Sequence, residues 1–149
     1  MELVQVLAGV ALCSGLSPSQ LASLAAISTR EEYNTDAVIF NQNDPGEKMY
    51  LITRGQVEVR LNSQGGGHFA TIYLGQGQIF GEMALLDQGS RSATVLAIEE
   101  LTELYAISAD AFLSLCQQDT AIGYVIMRNM ALDLSFKLRH KNLDPSASL

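Results

Sequence analysis

The sequence predicts a mainly β domain with flanking helices, of the barrel or jelly-roll kind. The first observation is a series of short apolar or alternating runs: "AVIF" (37–40), "MYLI" (49–52), "VEVRL" (57–61), "FATIYL" (69–74), "ATVLAI" (93–98) and "LTELYAI" (101–107). The second is what separates them: Asp44-Pro45-Gly46, Arg54-Gly55, Gly65-Gly66-Gly67, Gly75-Gln76-Gly77 and Glu99-Glu100. Strands at this regular spacing, with turn signals between them, indicate a barrel or jelly roll and not alternating βαβ units. The third is that helical periodicity occurs only outside this block, before Arg30 and after Ser108.

The N-terminal stretch "MELVQVLAGVALCSG" is apolar, but it carries Glu2 where a secretion signal has a basic region. Val10-Ala11-Leu12-Cys13 matches a lipoprotein cleavage site only in part. The stretch is therefore expected to be a helix, and the chain cytoplasmic. In "SPSQLASLAAIS", Ser17 is the N-cap, Pro18 the first helical residue and Gln20 the third residue after the cap. That is a capping box with the favoured proline. Leu21, Leu24, Ala25 and Ile27 lie on one face. The glycine triplet 65–67 is expected to be a hairpin tip, because no helix start follows it to make a phosphate loop. Ser108 caps "ADAFLSLCQQ", and Asp119 caps "TAIGYVIMRNMALDLSFKLRHK". Ile122, Val125, Ile126, Met130, Leu134 and Leu138 form a stripe on the last helix. Two readings of that stripe stay open: packing on the domain itself, or packing also on a second chain. The expected division is a single domain over 1–142, with helices at 1–30, strands at 31–107 and helices at 108–142. A disordered tail is expected at 143–149.

Composition narrows the function. The chain has 149 residues, 48% of them hydrophobic, which suits one domain with a full core. A net charge of −7 without a basic stripe argues against direct nucleic-acid binding and against attraction to anionic membranes. No apolar run is long enough to span a bilayer. Cys13 and Cys116 sit in apolar stretches without metal-ligand spacing and are expected to be reduced. A metal-dependent jelly-roll enzyme needs clustered His and carboxylates, yet His68 and His140 are the only histidines and lie far apart in the chain. No serine or cysteine nucleophile has a histidine base placed by a motif. The sequence therefore predicts no enzyme, no catalytic residue, no metal and no cofactor.

One short segment carries the chemistry. From Leu61 to Met127, Arg91 is the only Lys or Arg, among Glu82, Asp87, Glu99, Glu100, Glu103, Asp110 and Asp119. It follows Glu82 after eight residues in "FGEMALLDQGSRSATV". Gly81 permits a turn, Met83 to Leu86 form one helical turn, and "DQGS" returns the chain to a strand. A helix start offers unpaired N–H groups and a dipole that favours an anion. Arg91 adds a planar, permanently charged fork suited to two phosphate oxygens. Glu82 can accept from a sugar hydroxyl. The alternative is that Arg91 pairs with Glu82, or with Asp87 at the surface.

This segment resembles the phosphate-binding cassette of the cyclic nucleotide-binding domain superfamily, the type found in the cAMP receptor protein and in protein kinase A regulatory subunits. The family pattern is F-G-E-[apolar]-A-L-[apolar], a short loop, then R-x-A-x-V. Phe80, Gly81, Glu82, Met83, Ala84, Leu85, Leu86, Arg91, Ala93 and Val95 match it. "GLSPSQLASLA" and "VIFNQNDPGEKMYLITRGQVEV" are similar to the family's preceding helix and first hairpins. The resemblance implies an eight-stranded β-roll (a double-stranded β-helix) with N-terminal helices, a C-terminal helical pair and a cassette at 80–95. It implies that Arg91 contacts a cyclic phosphate, with backbone N–H groups near Met83, Ala84 and Ser92 and the Ser92 hydroxyl. Glu82, helped by the Gly81 backbone, would accept from the ribose 2′-OH. Val59, Thr71 and Thr94 are further candidates for the base pocket.

The implied function is a cyclic nucleotide sensor, with cAMP or cGMP as ligand, whose C-terminal helices shift on binding to regulate a partner or fused effector. Phe136, Lys137 and Arg139 are candidates for a lid. A ligand-free interaction or dimerisation module and a cyclic dinucleotide sensor are the alternatives. No helix-turn-helix pattern follows the last helix, so either a stand-alone sensor or the sensing part of a larger protein is expected. Its partners would be the nucleotide, an unidentified effector protein and, through the last helix, a second copy.

Overall fold

The computed structural model describes residues 2–62 and 68–140. The hairpin tip expected at 65–67, the tail expected at 143–149 and the side chain of His68 lie outside the described residues. The chain begins with α1 (Leu3–Ala8), a 3-10 turn (Ala11–Cys13) and α2 (Pro18–Ala26). Eight strands follow: β1 (Thr29–Tyr33), β2 (Val38–Phe40), β3 (Lys48–Arg54), β4 (Val57–Asn62), β5 (His68–Leu74), β6 (Ile79–Phe80), β7 (Thr94–Ala97) and β8 (Thr102–Ser108). A second 3-10 turn, Glu82–Leu85, sits between β6 and β7. Helices α3 (Ala109–Gln118) and α4 (Thr120–His140) complete the chain.

The strands form two four-stranded antiparallel sheets, ordered β1-β8-β3-β6 and β2-β7-β4-β5. This is the mainly β fold with flanking helices that the sequence predicted, and the eight-stranded roll that the family resemblance implied. β1 departs from the expected helical span, which ran to residue 30. Its sequence "TREEY" has no apolar run because it is an edge strand, exposed along much of its length and carrying ion pairs. Charged residues on an edge also discourage pairing with another chain.

β3 explains why the run "MYLI" is apolar throughout. Alternation sends successive side chains to opposite faces of the sheet. Met49 and Leu51 join the core formed with the helices, among Leu7, Leu24, Phe112, Ile122 and Ile126. Tyr50 and Ile52 join the core inside the roll, with Val57, Phe80, Val95 and Leu104. A strand covered on both faces must be apolar on both. Each such fully buried aliphatic side chain contributes about 1.5–3 kcal/mol.

The helix ends follow their sequence signals. Ser17 Oγ accepts from Gln20 N at 3.2 Å, and Gln20 Oε1 accepts from Ser17 N at 2.8 Å. Ser108 Oγ accepts from Ala111 N at 3.1 Å, and Asp119 Oδ1 from Ala121 N at 3.1 Å. On α4, Ile122, Ile126 and Met130 are buried, Val125 and Leu134 are half-buried, and Leu138 is 64% exposed. Asn129 Nδ2 donates to the carbonyls of Leu12 and Ser14 at 2.8 and 2.9 Å, fixing α4 to the N-terminal arm. Both cysteines are free thiols, and burial pushes the Cys13 thiol up to about 11. Among the described residues, no helix is long and apolar enough to cross a membrane.

Candidate functional site

The segment between β6 and β7 turns on Gly81. Its φ of 73° is left-handed, a region that side chains disfavour. A Cβ there would lie 2.7 Å from Arg91 Nη1 and 3.2 Å from the Lys48 carbonyl oxygen. Glycine thus makes the turn and leaves room for the arginine. In the following 3-10 turn, Ala84 and Leu85 are buried while Met83 is exposed. Ala84 N donates to the Gly81 carbonyl at 3.2 Å, so this amide is already engaged. Asp87 Oδ1 accepts from Gly89 N at 3.0 Å and shapes the loop.

The loop between β2 and β3 clasps the returning chain. Gly46 N donates to the Gly89 carbonyl at 2.9 Å, and Pro45 bridges to Ser90. Arg91 N donates to the Asp44 carbonyl at 2.7 Å, and Asn43 N to the Arg91 carbonyl at 2.8 Å. A Cβ at Gly46 would meet the Gly89 carbonyl oxygen at 2.8 Å, so this approach requires glycine.

Arg91 itself is only 8% exposed. Nη2 donates to the Lys48 carbonyl at 2.7 Å and Nη1 to the Gly81 carbonyl at 3.3 Å. Its guanidinium carbon lies 4.0 Å from the centre of the Phe40 ring. Among the described residues, Nε is buried without a hydrogen-bond partner. Among the described residues no carboxylate pairs with Arg91, so neither Glu82 nor Asp87 is its counter-ion. Burial pulls its pKa down from the ordinary arginine value. The group remains charged, because arginine lies far above neutrality to begin with. An unpaired buried charge costs several kcal/mol, and two carbonyls and a ring offset only part of that. A guanidinium in this setting can take an anion as its partner.

A cavity of about 790 Å³ opens beside Arg91. Gly81, Glu82, Met83, Ala84, Arg91, Ser92 and Val59, seven of the sequence-selected residues, line it. Thr71 and Thr94 do not. Register explains the split. Val59 pairs with Val95 and with Ile72, whereas Arg60 pairs with Thr94 and with Thr71. Cross-strand partners share a face and successive residues alternate, so the threonine row faces away from the valine row. The Thr94 hydroxyl instead accepts from Gln42 N at 2.9 Å. Ile72, which the sequence reading passed over, shares the face of Val59.

α4 supplies one wall through Leu134, Lys137 and Leu138. Of the lid candidates only Lys137 is there, paired with Asp133 at 2.9 Å. Phe136 is 61% exposed and packs on His140, and Arg139 is exposed. Phe40, Gly46 and the Lys48 carbonyl were also missed. Their signal was only the general hairpin pattern of "VIFNQNDPGEKMYLI", and a backbone carbonyl has no signature in a sequence.

The profile of the cyclic nucleotide-binding domain matches residues 30–119, a span holding Arg91 and every wall of the cavity except α4. The chain belongs to the cyclic nucleotide-binding domain family. A cyclic AMP receptor protein of Thermus thermophilus is 34% identical over 136 residues, covering 91% of this chain and 61% of that protein. The chain thus spans about three-fifths of this curated relative. A cyclic nucleotide-gated potassium channel of Mesorhizobium japonicum is 33% identical over 129 residues, covering 87% of this chain and 34% of the channel. Among solved structures, the Thermus thermophilus catabolite activator protein superposes with a TM-score of 0.79 at 33% identity, covering 91% of this chain and 62% of that one. The N-terminal domain of a transcriptional regulator from Streptomyces coelicolor superposes at 0.80 with 26% identity, covering 93% and 96%. The family is one of regulatory cyclic nucleotide binding.

Proposed function

We propose that this cyclic nucleotide-binding domain is a cAMP sensor, with residues 1–142 as the sensing unit. The observation that supports this most is the buried guanidinium of Arg91, with an unpartnered Nε and no paired carboxylate among the described residues, beside a cavity of about 790 Å³. The name of the Thermus relative favours cAMP over cGMP as the first ligand to test. Arg91 binds the cyclic phosphate, joined by the Ser92 hydroxyl and by backbone N–H groups of the turn at Met83 and Ala84. Ala84 N exchanges its bond to Gly81 for the ligand as the turn tightens. Glu82 accepts from the ribose 2′-OH beside Gly81. The base rests on the wall that includes Val59.

Output passes through β3. Lys48, whose carbonyl holds Arg91, pairs with Ser108, the cap of α3, and Ala109 N donates to the Glu47 carbonyl at 2.9 Å. Movement of Arg91 onto a phosphate is therefore felt at the start of α3, and α4 already forms a wall of the cavity. A ligand shifts such an equilibrium by its differential affinity for the two arrangements. Tyr124, Leu132, Phe136 and Leu138 are exposed on α4 and offer a second copy a surface for homodimerisation. The two free cysteines fit a reducing cytoplasmic compartment.

The test is a thermal-shift screen against cAMP, cGMP and cyclic dinucleotides, followed by calorimetric titration. cAMP at about 100 times its Kd stabilises the fold by about 2.7 kcal/mol. No shift with any of the three classes removes the proposal, and a shift with cyclic dinucleotides alone replaces it. Amide exchange with and without cAMP tests the output: protection unchanged beyond residue 108 would remove the helix shift.

A further inference from the structure

Phe40 touches the central group of the site without a role in the scheme above. Its ring centre lies 4.0 Å from the Arg91 guanidinium carbon, within the range of a cation–π contact, while Tyr50 stands at 6.0 Å, the edge of that range. The ring is itself held. Phe40 packs on Tyr50 and Phe80 with centroids 6.0 and 5.9 Å apart, and those two stack at 5.0 Å with planes 14° apart.

The rest of the same segment fixes the arginine from other sides. Asn43 and Asp44 bind the Arg91 backbone at 2.8 and 2.7 Å, and the Lys48 carbonyl takes Nη2 at 2.7 Å. One stretch, Phe40 to Lys48, therefore supplies the backbone anchors, one hydrogen-bond acceptor and an aromatic face. With the guanidinium carbon over a ring and each Nη on a carbonyl, Nε is the donor left without a partner among the described residues. A flat ring suits a flat cation, and an aliphatic side chain of similar size lacks the ring's negative face.

We propose that Phe40 is a positioning residue of the ligand site, whose ring holds the Arg91 guanidinium plane ready for an anionic oxygen pair. The proposal rests on the cyclic nucleotide reading for the identity of that anion. The contact between ring and guanidinium is measurable without any ligand.

The experiment uses the full chain as wild type, Phe40→Leu and Phe40→Tyr, each also with Arg91→Lys. In ligand-free protein, the Arg91 Nε–H resonance is displaced by the ring current of Phe40. The displacement is lost in Phe40→Leu and kept in Phe40→Tyr. An undisplaced wild-type resonance overturns the proposal even if Phe40→Leu does not fold. In calorimetric titration with cAMP, Phe40→Leu binds about tenfold more weakly and Phe40→Tyr recovers most of the affinity. The loss disappears in the Arg91→Lys background, because the ring acts through the planar guanidinium. Wild-type affinity in Phe40→Leu overturns the proposal. So does a full tenfold loss that persists in the Arg91→Lys background, since the ring would then be touching the nucleotide itself. If the wild type binds no cAMP, the cyclic nucleotide reading fails, and the resonance still decides whether Phe40 holds Arg91.

Discussion

Arg30 and Arg91 carry the same charge into opposite surroundings. Arg30 lies on edge strand β1 with its side chain half exposed, bonded to Glu32 and, at 2.6 Å, to Glu103. Its neighbours repeat the pattern: Lys48 pairs with Glu31 at 3.0 Å, the Tyr33 hydroxyl donates to Glu31 at 2.6 Å, and Thr53 donates to Glu103 at 2.7 Å. Arg91 is buried, rests on two carbonyls and a ring, and forms no ion pair among the described residues. A charge with its partners in the chain needs nothing further. One buried without a partner costs stability that the chain does not recover by itself. The first arrangement suits an edge strand, and the second suits the ligand site proposed above.

The comparison breaks first at Arg91. Arg91→Ala is expected to weaken cAMP binding by about 30- to several-thousand-fold, which corresponds to about 2–5 kcal/mol. The ligand-free fold is expected to survive, since the variant removes an unpaired buried charge. Calorimetry and thermal melts on one preparation check both halves. Unchanged affinity would return Arg91 to the structural class of Arg30. Glu82→Ala is expected next, at about 10- to 100-fold, the cost of a lost hydrogen bond to a charged acceptor. Gly46→Ala sharpens the comparison without touching a charge. Its Cβ would press on the Gly89 carbonyl at 2.8 Å, with Arg91 Cδ 3.6 Å away. The loop bearing Arg91 must then move, at about 1–3 kcal/mol of stability and about tenfold in affinity. Loss of stability with affinity intact would show that the clasp supports the fold and not the site.

The same contrast shows what a sequence can carry. Arg91 was legible because it stands alone among acids and follows "FGEMALL" at a fixed spacing. The caps at Ser17, Ser108 and Asp119 were legible because each is decided by residues within a few positions. β1 was not: an edge strand has no buried face to impose an apolar run, and its identity comes from pairing with β8 some seventy residues later. Thr71 and Thr94 were chosen by residue type, but facing is set by register, and one position decides between cavity and exterior. Phe40 and the Lys48 carbonyl reach Arg91 across fifty-one and forty-three positions, so local pattern showed their hairpin but not their contact with Arg91.

The smallest expected effect belongs to the paired side. Hydrogen bonds from Thr53 and then from Arg30 hold the Glu103 carboxyl below its ordinary pKa. A carboxyl whose folded pKa is depressed contributes stability that is complete above its unfolded pKa, about 4.3 for Glu. That contribution is lost as pH falls through the lower, folded value. Glu103→Gln should therefore melt slightly below wild type at neutral pH, and the gap should close on acidification below about pH 4. Affinity for cAMP should be unchanged at every pH at which both proteins are folded, because the Glu103 network lies outside the cavity lining. Thermal melts across pH, paired with titrations, read both. A gap that widens in acid would reverse the sign of the argument. A matching loss of cAMP affinity would mean that this exterior network reaches Arg91 through β3, and that the two arginines are coupled.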